Sequence, residues 1–345
     1  MVLGALGARW FAGLFTEDPE LADMCGVYLR ICMVFCAGMF VQVMAQRFLQ
    51  AVGDTVMSMI SLIIGAVLNI ILDPVFIFGL AFVPAMGIRG AAIATVIGQW
   101  CGGIAAILLN LRYNKEVRMD FRHFRFQAKT VKRIYQVGLP TIIMQAMGSI
   151  MVSTMNIILM PFSETAVAFF GIYYKLQNFL FMPMNGLGQA AIPIVGYNLG
   201  AGKKERIRQV YTTVVPAAIL IGFVGTLIFM IFPKQLLQLF SASSALLEMG
   251  VPALRIISVT FICASLTTVL GYSASGLGNG IINMLGTALR QFIIYVPVTW
   301  LMAEFGGMDL IWYASWIAEV CALVYSAVFV RSLYGRVVRK PSASL

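Results

Sequence analysis

Asp73 sits where a carboxylate needs a reason. It belongs to the run Val67-Leu68-Asn69-Ile70-Ile71-Leu72-Asp73-Pro74, with apolar sequence from about Val56 to Leu80 on either side. On the insertion scale a charged residue at mid-helix in lipid costs about 2.5–3.5 kcal/mol, so it normally faces a protein interior, a partner or water. Asn69, four residues earlier, shares its helical face. An amide and a carboxylate at that spacing could hold a proton or a small cation, and Asn69 and Asp73 are read as a coupling site. The plainer alternatives are an interfacial carboxylate near a helix end, 18 residues or roughly 27 Å from Thr55, and for Asn69 a helix–helix hydrogen bond. Pro74 removes an i−4 hydrogen bond and is a candidate hinge or a static kink.

Further polar residues fall inside apolar segments. Thr141, Gln145, Ser149 and Asn156 follow spacings of 4, 4 and 7 and form a stripe on one face of a helix, suited to lining a cavity or to interhelical hydrogen bonds. Met144, Met147, Met151 and Met155 form a neighbouring stripe, better explained by packing than by binding. The next segment carries Tyr173, Lys175, Gln177, Asn178, Asn185 and Gln189. An intramembrane ammonium such as Lys175 requires a partner, water, or a snorkelling path to the interface. Tyr173, Lys175, Asn185, Gln189, Gln42 and Gln99 are read as further candidates for the substrate cavity, and Gln42, Gln99, Arg290 and Glu319 complete the inventory, each open to a purely structural reading.

The elements that must position these residues are long apolar helices. Of 345 residues, 60% are hydrophobic and 11% charged, with mean hydropathy +0.90, whereas soluble domains carry about 25% charged residues. Spanning segments run at about 23–50, 55–81, 90–111, 134–160, 166–197, 209–232, 249–275, 280–303 and 309–330, preceded by a partial segment at 1–15 that is too short to span. Basic residues gather in alternate connections: Arg112 to Arg133, then Lys203 to Arg208, then Arg331 to Lys340. Arg47 shares that side, which the positive-inside rule makes cytoplasmic. The net charge of +10 is thereby explained without a nucleic-acid partner, and the basic linker points to anionic lipid headgroups. No signal peptide opens the chain. The six cysteines lie in apolar segments without metal-ligand or redox spacing, and the single histidine, His123, lies in the basic connection. Gly186, Gly188, Gly196, Gly200 and Gly202 suit close packing and a helix stop rather than a phosphate loop. No catalytic set or metal site is expected, which disfavours a membrane-embedded enzyme.

The chain also repeats. Leu14, Phe15, Met24, Leu29, Arg30, Ile31 and Gly53 recur as Leu239, Phe240, Met249, Leu254, Arg255, Ile256 and Gly278, a constant offset of 225 residues. Two parallel, pseudo-symmetric lobes of an all-α polytopic membrane protein follow, a recurring transporter design with the substrate site at the lobe interface. The second half has 107 residues between Lys132 and Leu239, but only 13 precede Leu14. Equal halves therefore predict about 94 further residues upstream, so that the first lobe lacks about two and a half helices of a twelve-helix protein. The expected division is an incomplete first lobe at 1–112, a cytoplasmic basic linker at 113–130, a second lobe at 131–335 and a cytoplasmic tail at 336–345.

Several motifs in order then resemble one family. Tyr28-Leu29-Arg30-Ile31, Arg47 to Thr55 (RFLQAVGDT), Asn69 to Pro74, Gly87 to Thr95 (GIRGAAIAT), Gly138-Leu139-Pro140 and Pro193 to Gly202 (PIVGYNLGAG) look like the multidrug and toxic compound extrusion (MATE) transporters. The resemblance covers essentially the whole chain. It implies a V-shaped pair of six-helix lobes alternating between inward-open and outward-open states, a secondary active antiporter exporting organic cations or drug-like compounds in exchange for protons or sodium. In many prokaryotic members the fifth helix carries an aspartate preceded by an asparagine, which correspond to Asp73 and Asn69. Tyr28, Gln46 and Thr95 correspond to nearby polar positions, while the first-helix aspartate has no counterpart in this sequence. No cofactor and a monomer in the plasma (inner) membrane, with both ends of the complete protein cytoplasmic, are expected. The competing readings are a lipid-linked oligosaccharide flippase of the same superfamily, for which only Lys175 and Arg290 supply cavity cations, and an inactive fragment.

Overall fold

Short polar caps and left-handed glycines cut the apolar sequence into helices. A computed structural model describes residues 2–13, 18–80, 83–114 and 126–339. Most of the basic connection (Lys115, Arg118, Arg122, His123 and Arg125), the residues from Lys340 onward, and Leu14 and Phe15 of the repeat lie outside the described residues. The first compact unit, Met1–Phe124, contains α1 (Val2–Gly13), α2 (Pro19–Val34), α3 (Ala37–Ala51), α4 (Thr55–Phe78) and α5 (Ile88–Tyr113). The second, Arg125–Leu345, contains α6 (Ala128–Leu159), α7 (Glu164–Gly200), α8 (Lys204–Ile231), α9 (Pro233–Gln238), α10 (Ser244–Ser258), α11 (Phe261–Gly276), α12 (Gly280–Ala288), a π-helical turn (Leu289–Ile293), α13 (Tyr295–Ile311) and α14 (Ala314–Arg339). No strand occurs among the described residues. Among the described residues seven helices are long and apolar enough to cross a membrane, and two bent pairs, α2 with α3 and α10 with α11, raise the number to nine. All nine expected spans have their counterpart.

The 225-residue repeat holds at the helix starts and stops. Asp18 and Ser243 cap α2 and α10, and their carbonyls accept from Ala22 and Leu247 at 2.9 and 3.0 Å. The two bent pairs turn by 52° and 49°. Gly53 and Gly278 both take φ +86°, a left-handed conformation that glycine adopts without steric cost. At the residue after each glycine, Asp54 donates its N–H to Leu49 at 2.9 Å, and Asn279 to Ala274 at 3.0 Å. The same two side chains then cap the next helix, accepting from Met57 at 3.2 Å and Ile282 at 3.4 Å. Gly-Asp and Gly-Asn are thus one device, stopping a helix and starting its neighbour.

Small residues let α4 and α5 pack backbone to backbone. A Cβ added to Gly98 would lie 2.8 Å from the Gly65 carbonyl oxygen, and one added to Gly65 would lie 2.9 Å from the Gly98 oxygen. Gly90 meets Phe76, and Gly102 meets the Ser61 oxygen, so the two helices run antiparallel. Where apolar side chains gain nothing by leaving lipid, close approach of this kind supplies much of the packing energy. The opposite face of α4 is apolar and exposed, with Ile70 at 69% and Phe78 at 71%. Lipid tails are the solvent that such a face requires.

The second unit is built around an aromatic core. Phe229 meets Phe261 edge-on at 5.0 Å, Phe181 meets Phe261 at 6.3 Å, and Phe169 meets Trp312 at 4.9 Å. The 37-residue α7 runs through Pro183 and Pro193. Gly188 on that helix receives the ring of Tyr272. Gly307, at φ +65°, breaks the helical path inside α13.

Candidate functional site

Asp73 lies five residues before the end of α4, half-buried, with Asn69 one turn below it. The Asn69 amide donates from Nδ2 to Asp73 Oδ1 at 3.3 Å, so the i, i+4 spacing becomes a bonded pair. The helix continues through Pro74 to the left-handed cap at Gly79. Because Gly90 meets Phe76 and Gly98 meets Asn69, Thr95 lies at the level of the Asn69–Asp73 turn. Thr95 donates to the Ala91 carbonyl at 2.9 Å and lies 3.5 Å from the Tyr28 hydroxyl. The structure therefore brings Asn69, Asp73, Tyr28 and Thr95 to one level as two bonded pairs.

Gln46 belongs to a separate cluster nearer the start of α4. It donates to Ser61 Oγ at 3.2 Å, Ser61 donates to the Ser58 carbonyl at 2.7 Å, and Gln50 donates to Ser58 Oγ at 3.0 Å. Gln42 is buried between the two clusters, its amide nitrogen 2.5 Å from where a Gly102 Cβ would stand. A signal for this seam existed in the sequence. Ser58, Ser61, Gly65, Asn69 and Asp73 follow spacings of 3, 4, 4 and 4, and Gln42, Gln46 and Gln50 spacings of 4 and 4. The polar and small residues of α4 thus share one face, directed at α3 and α5.

In the second unit the sequence-derived cavity residues separate by exposure. Thr141, Gln145 and Ser149 are exposed along α6, and Asn156 is half-buried. Of the methionine stripe, Met151 and Met155 are buried in the core and serve packing. Tyr173 is also in that core. Lys175 is exposed, its Nζ 5.9 Å from the Phe240 ring centre. Asn185 accepts from the Tyr272 hydroxyl at 3.3 Å, and Gln189 is half-buried, as is Gln99 on α5 of the first unit.

An ion pair across α14 and the π-helical turn was not legible, because Arg290 and Glu319 lie 29 positions apart with nothing in the spacing to join them. Arg290 Nε lies 3.7 Å from Glu319 Oε1, with side-chain exposures of 15% and 9%. The guanidinium is also held by Thr268 Oγ1 at 3.1 Å, the Ala264 carbonyl at 3.4 Å and the Phe181 ring at 5.3 Å. Among the described residues no group of three or more His, Cys, Asp or Glu side chains is placed to hold a metal ion.

The sequence matches the profile of the MatE family over residues 1–75 and 140–301, more than half of the chain. The chain belongs to the MatE family. It is accordingly a multi-pass membrane transporter of the MATE type and not an enzyme. Multidrug export protein MepA of Staphylococcus saprophyticus is 25% identical over 315 residues, covering 90% of this chain and 68% of MepA. The probable multidrug resistance protein NorM of Thermotoga maritima is 25% identical over 309 residues, covering 89% of this chain and 66% of NorM. Among solved structures, a crystal structure of MATE in complex with MaL6 superposes with a TM-score of 0.88 at 20% identity, covering 98% of this chain and 76% of that one. A multidrug resistance MATE family transporter in an outward-facing conformation gives 0.87 at 23% identity, with coverage of 98% and 76%. These likenesses establish the fold, and the MATE resemblance read from the motifs stands.

Proposed function

We propose that this chain is the transport body of a secondary active antiporter that exports cationic or amphipathic drug-like compounds in exchange for protons or sodium by alternating access. The observation that carries this reading is the bonded Asn69–Asp73 pair on a membrane-spanning helix, level with Tyr28 and Thr95. A carboxylate held by an amide and flanked by hydroxyls offers an ion site whose charge a cationic substrate could replace. The names of the relatives, a multidrug export protein and a probable multidrug resistance protein, support the substrate class.

The working division is a first lobe at 1–112, a linker at 113–130, a second lobe at 131–335 and a tail at 336–345. The boundary between the compact units, after Phe124, falls within that linker. The charge asymmetry of the connections supports a plasma-membrane orientation with linker and tail cytoplasmic. Exposed polar side chains at Gln145 and Ser149, on a helix otherwise suited to lipid, support a substrate-facing role for that side of α6.

Ethidium efflux from proteoliposomes, measured with and without an imposed proton or sodium gradient, tests the reading and identifies the ion. Efflux should accelerate with one of the two gradients, and Asp73→Asn should remove that acceleration. Gradient-driven efflux by Asp73→Asn at the wild-type rate would refute the assignment of Asp73.

A further inference from the structure

Glu319 is a carboxylate at membrane depth with a half-satisfied head. Its Oε1 faces Arg290 at 3.7 Å, beyond the 2.7–2.9 Å of a charge-assisted hydrogen bond. Its Oε2 is buried and has no hydrogen-bond partner, although a buried carboxylate oxygen is costly to leave unpaired. Arg290 is over-provided by comparison, with Thr268, Ala264 and the Phe181 ring in addition to the carboxylate. The guanidinium can therefore remain in place whether or not Glu319 is charged. The other titratable groups that face Glu319 are Tyr295 on α13, Tyr173 on α7 and Cys263 on α11, so Arg290 is its one cationic neighbour among the described residues.

Two features speak against a purely architectural pair. First, Arg290 lies in the π-helical turn, where the Ile294 N–H reaches back five residues to the Leu289 carbonyl at 3.1 Å. Such turns are rare and are frequently found at functional sites. Second, the first unit builds the repeated fold without the pair. The 225-residue offset sets Arg290 against Gly65 and Glu319 against Ala94, and aligning Pro297 with Pro74 sets them against Val67 and Val96. In either registration the counterparts are uncharged.

We propose that Glu319 is a proton-binding site inside the second unit, with Arg290 as the tethered cation that balances its charge when the proton leaves. The proton adds to Oε2, giving a neutral acid whose buried head no longer carries the desolvation cost of a charge. When it departs to water or to an incoming base, Glu319 is left anionic and Arg290, which keeps all its protons, neutralises it. A metal ion on the same carboxylate would face a guanidinium 3.7 Å away, so a proton is the cation that fits. This site is separate from Asp73, and its occupation does not depend on the antiport reading.

Infrared difference spectroscopy of the whole chain in lipid, recorded as the bathing pH is stepped and repeated in D2O, reads carboxyl protonation directly. The wild-type protein and Asp73→Asn should both show a titrating protonated-carboxyl component that is missing from Glu319→Gln, whose remaining carboxyl signal comes from the other Asp and Glu residues. Arg290→Gln, which leaves Glu319 in place, should move the midpoint to higher pH by about one unit or more, as expected on removing a neighbouring opposite charge. Spectra of Glu319→Gln that match the wild type, or a midpoint unmoved in Arg290→Gln, would overturn the proposal. A Glu319-dependent band in a chain that shows no gradient-driven efflux would count against antiport and leave this site standing.

Discussion

Gly98→Ala places the α4–α5 seam under a defined load. The added methyl would stand 2.8 Å from the Gly65 carbonyl oxygen and 3.1 Å from Asn69 Cβ. Two opposing terms set the outcome. Alanine is favoured over glycine inside a helix by about 0.8–1 kcal/mol, while overpacking a close contact costs about 1–3 kcal/mol. The distances decide between them, because the obstructing atom at 2.8 Å is backbone oxygen and cannot rotate aside. The helices must separate by several tenths of an ångström, and Asn69, the donor to Asp73, is on the moving surface. The expected net effect is destabilisation by up to about 2 kcal/mol, together with impaired gradient coupling. Gly171→Ala supplies the control: it lies inside α7 with nothing within 4 Å of its Cβ, so only the propensity term acts and stability should rise by up to about 1 kcal/mol. Thermal unfolding of the two variants in matched detergent gives the comparison. A Gly98→Ala protein as stable as Gly171→Ala would refute the backbone-contact account of this seam.

Gly53→Ala and Gly278→Ala should each cost about 1–2 kcal/mol, since both impose φ +86° on a residue with a Cβ. The double variant should show the sum, the two turns lying in separate units without shared partners, and a strongly non-additive unfolding temperature would argue against that independence. Phe229→Ala, which empties a position 4% exposed against the edge of Phe261, should lose about 3–5 kcal/mol, read as a lower midpoint in the same unfolding assay. Asn69→Leu should leave unfolding within about 1 kcal/mol of wild type, the scale of interhelical and side-chain bonds in membranes, while changing the ion-concentration dependence of efflux. An unaltered ion dependence would separate Asn69 from the coupling site.

The helices were legible because apolar length is an unmistakable signal in a membrane protein. The repeat was legible because helix stops and starts use residues with few substitutes, glycine at positive φ and Asp, Asn or Ser at a cap. The bends between α2 and α3 and between α10 and α11 were not. Their breaks, Phe35-Cys36 and Val259-Thr260, contain neither glycine nor proline, so each bent pair reads in sequence as one continuous span. The Thr260 hydroxyl donates to the Ile257 carbonyl at 2.7 Å, a backbone competition that bends helices without announcing itself. Within the site, Asn69 and Asp73 could be paired because one helix fixes their spacing, whereas Tyr28 with Thr95 and Arg290 with Glu319 are contacts between helices and leave no local pattern.

The repetition stops where the chemistry begins. Caps, bends and left-handed turns match between the units, yet Asp73 falls against Val298 by the 225-residue offset, or against Val296 when Pro74 is aligned with Pro297. Neither is ionisable. The second unit instead carries its charge within the π-helical turn and across to α14, using a residue pair that the first unit lacks. Had these polar groups served the fold, selection on the same packing problem would be expected to place similar groups at matching positions, as it has placed Gly53 with Gly278 and Asp54 with Asn279. Their divergence within a shared architecture is what unequal functional duties would produce: a carboxylate bonded to an amide in one unit, and a carboxylate with its own resident cation in the other.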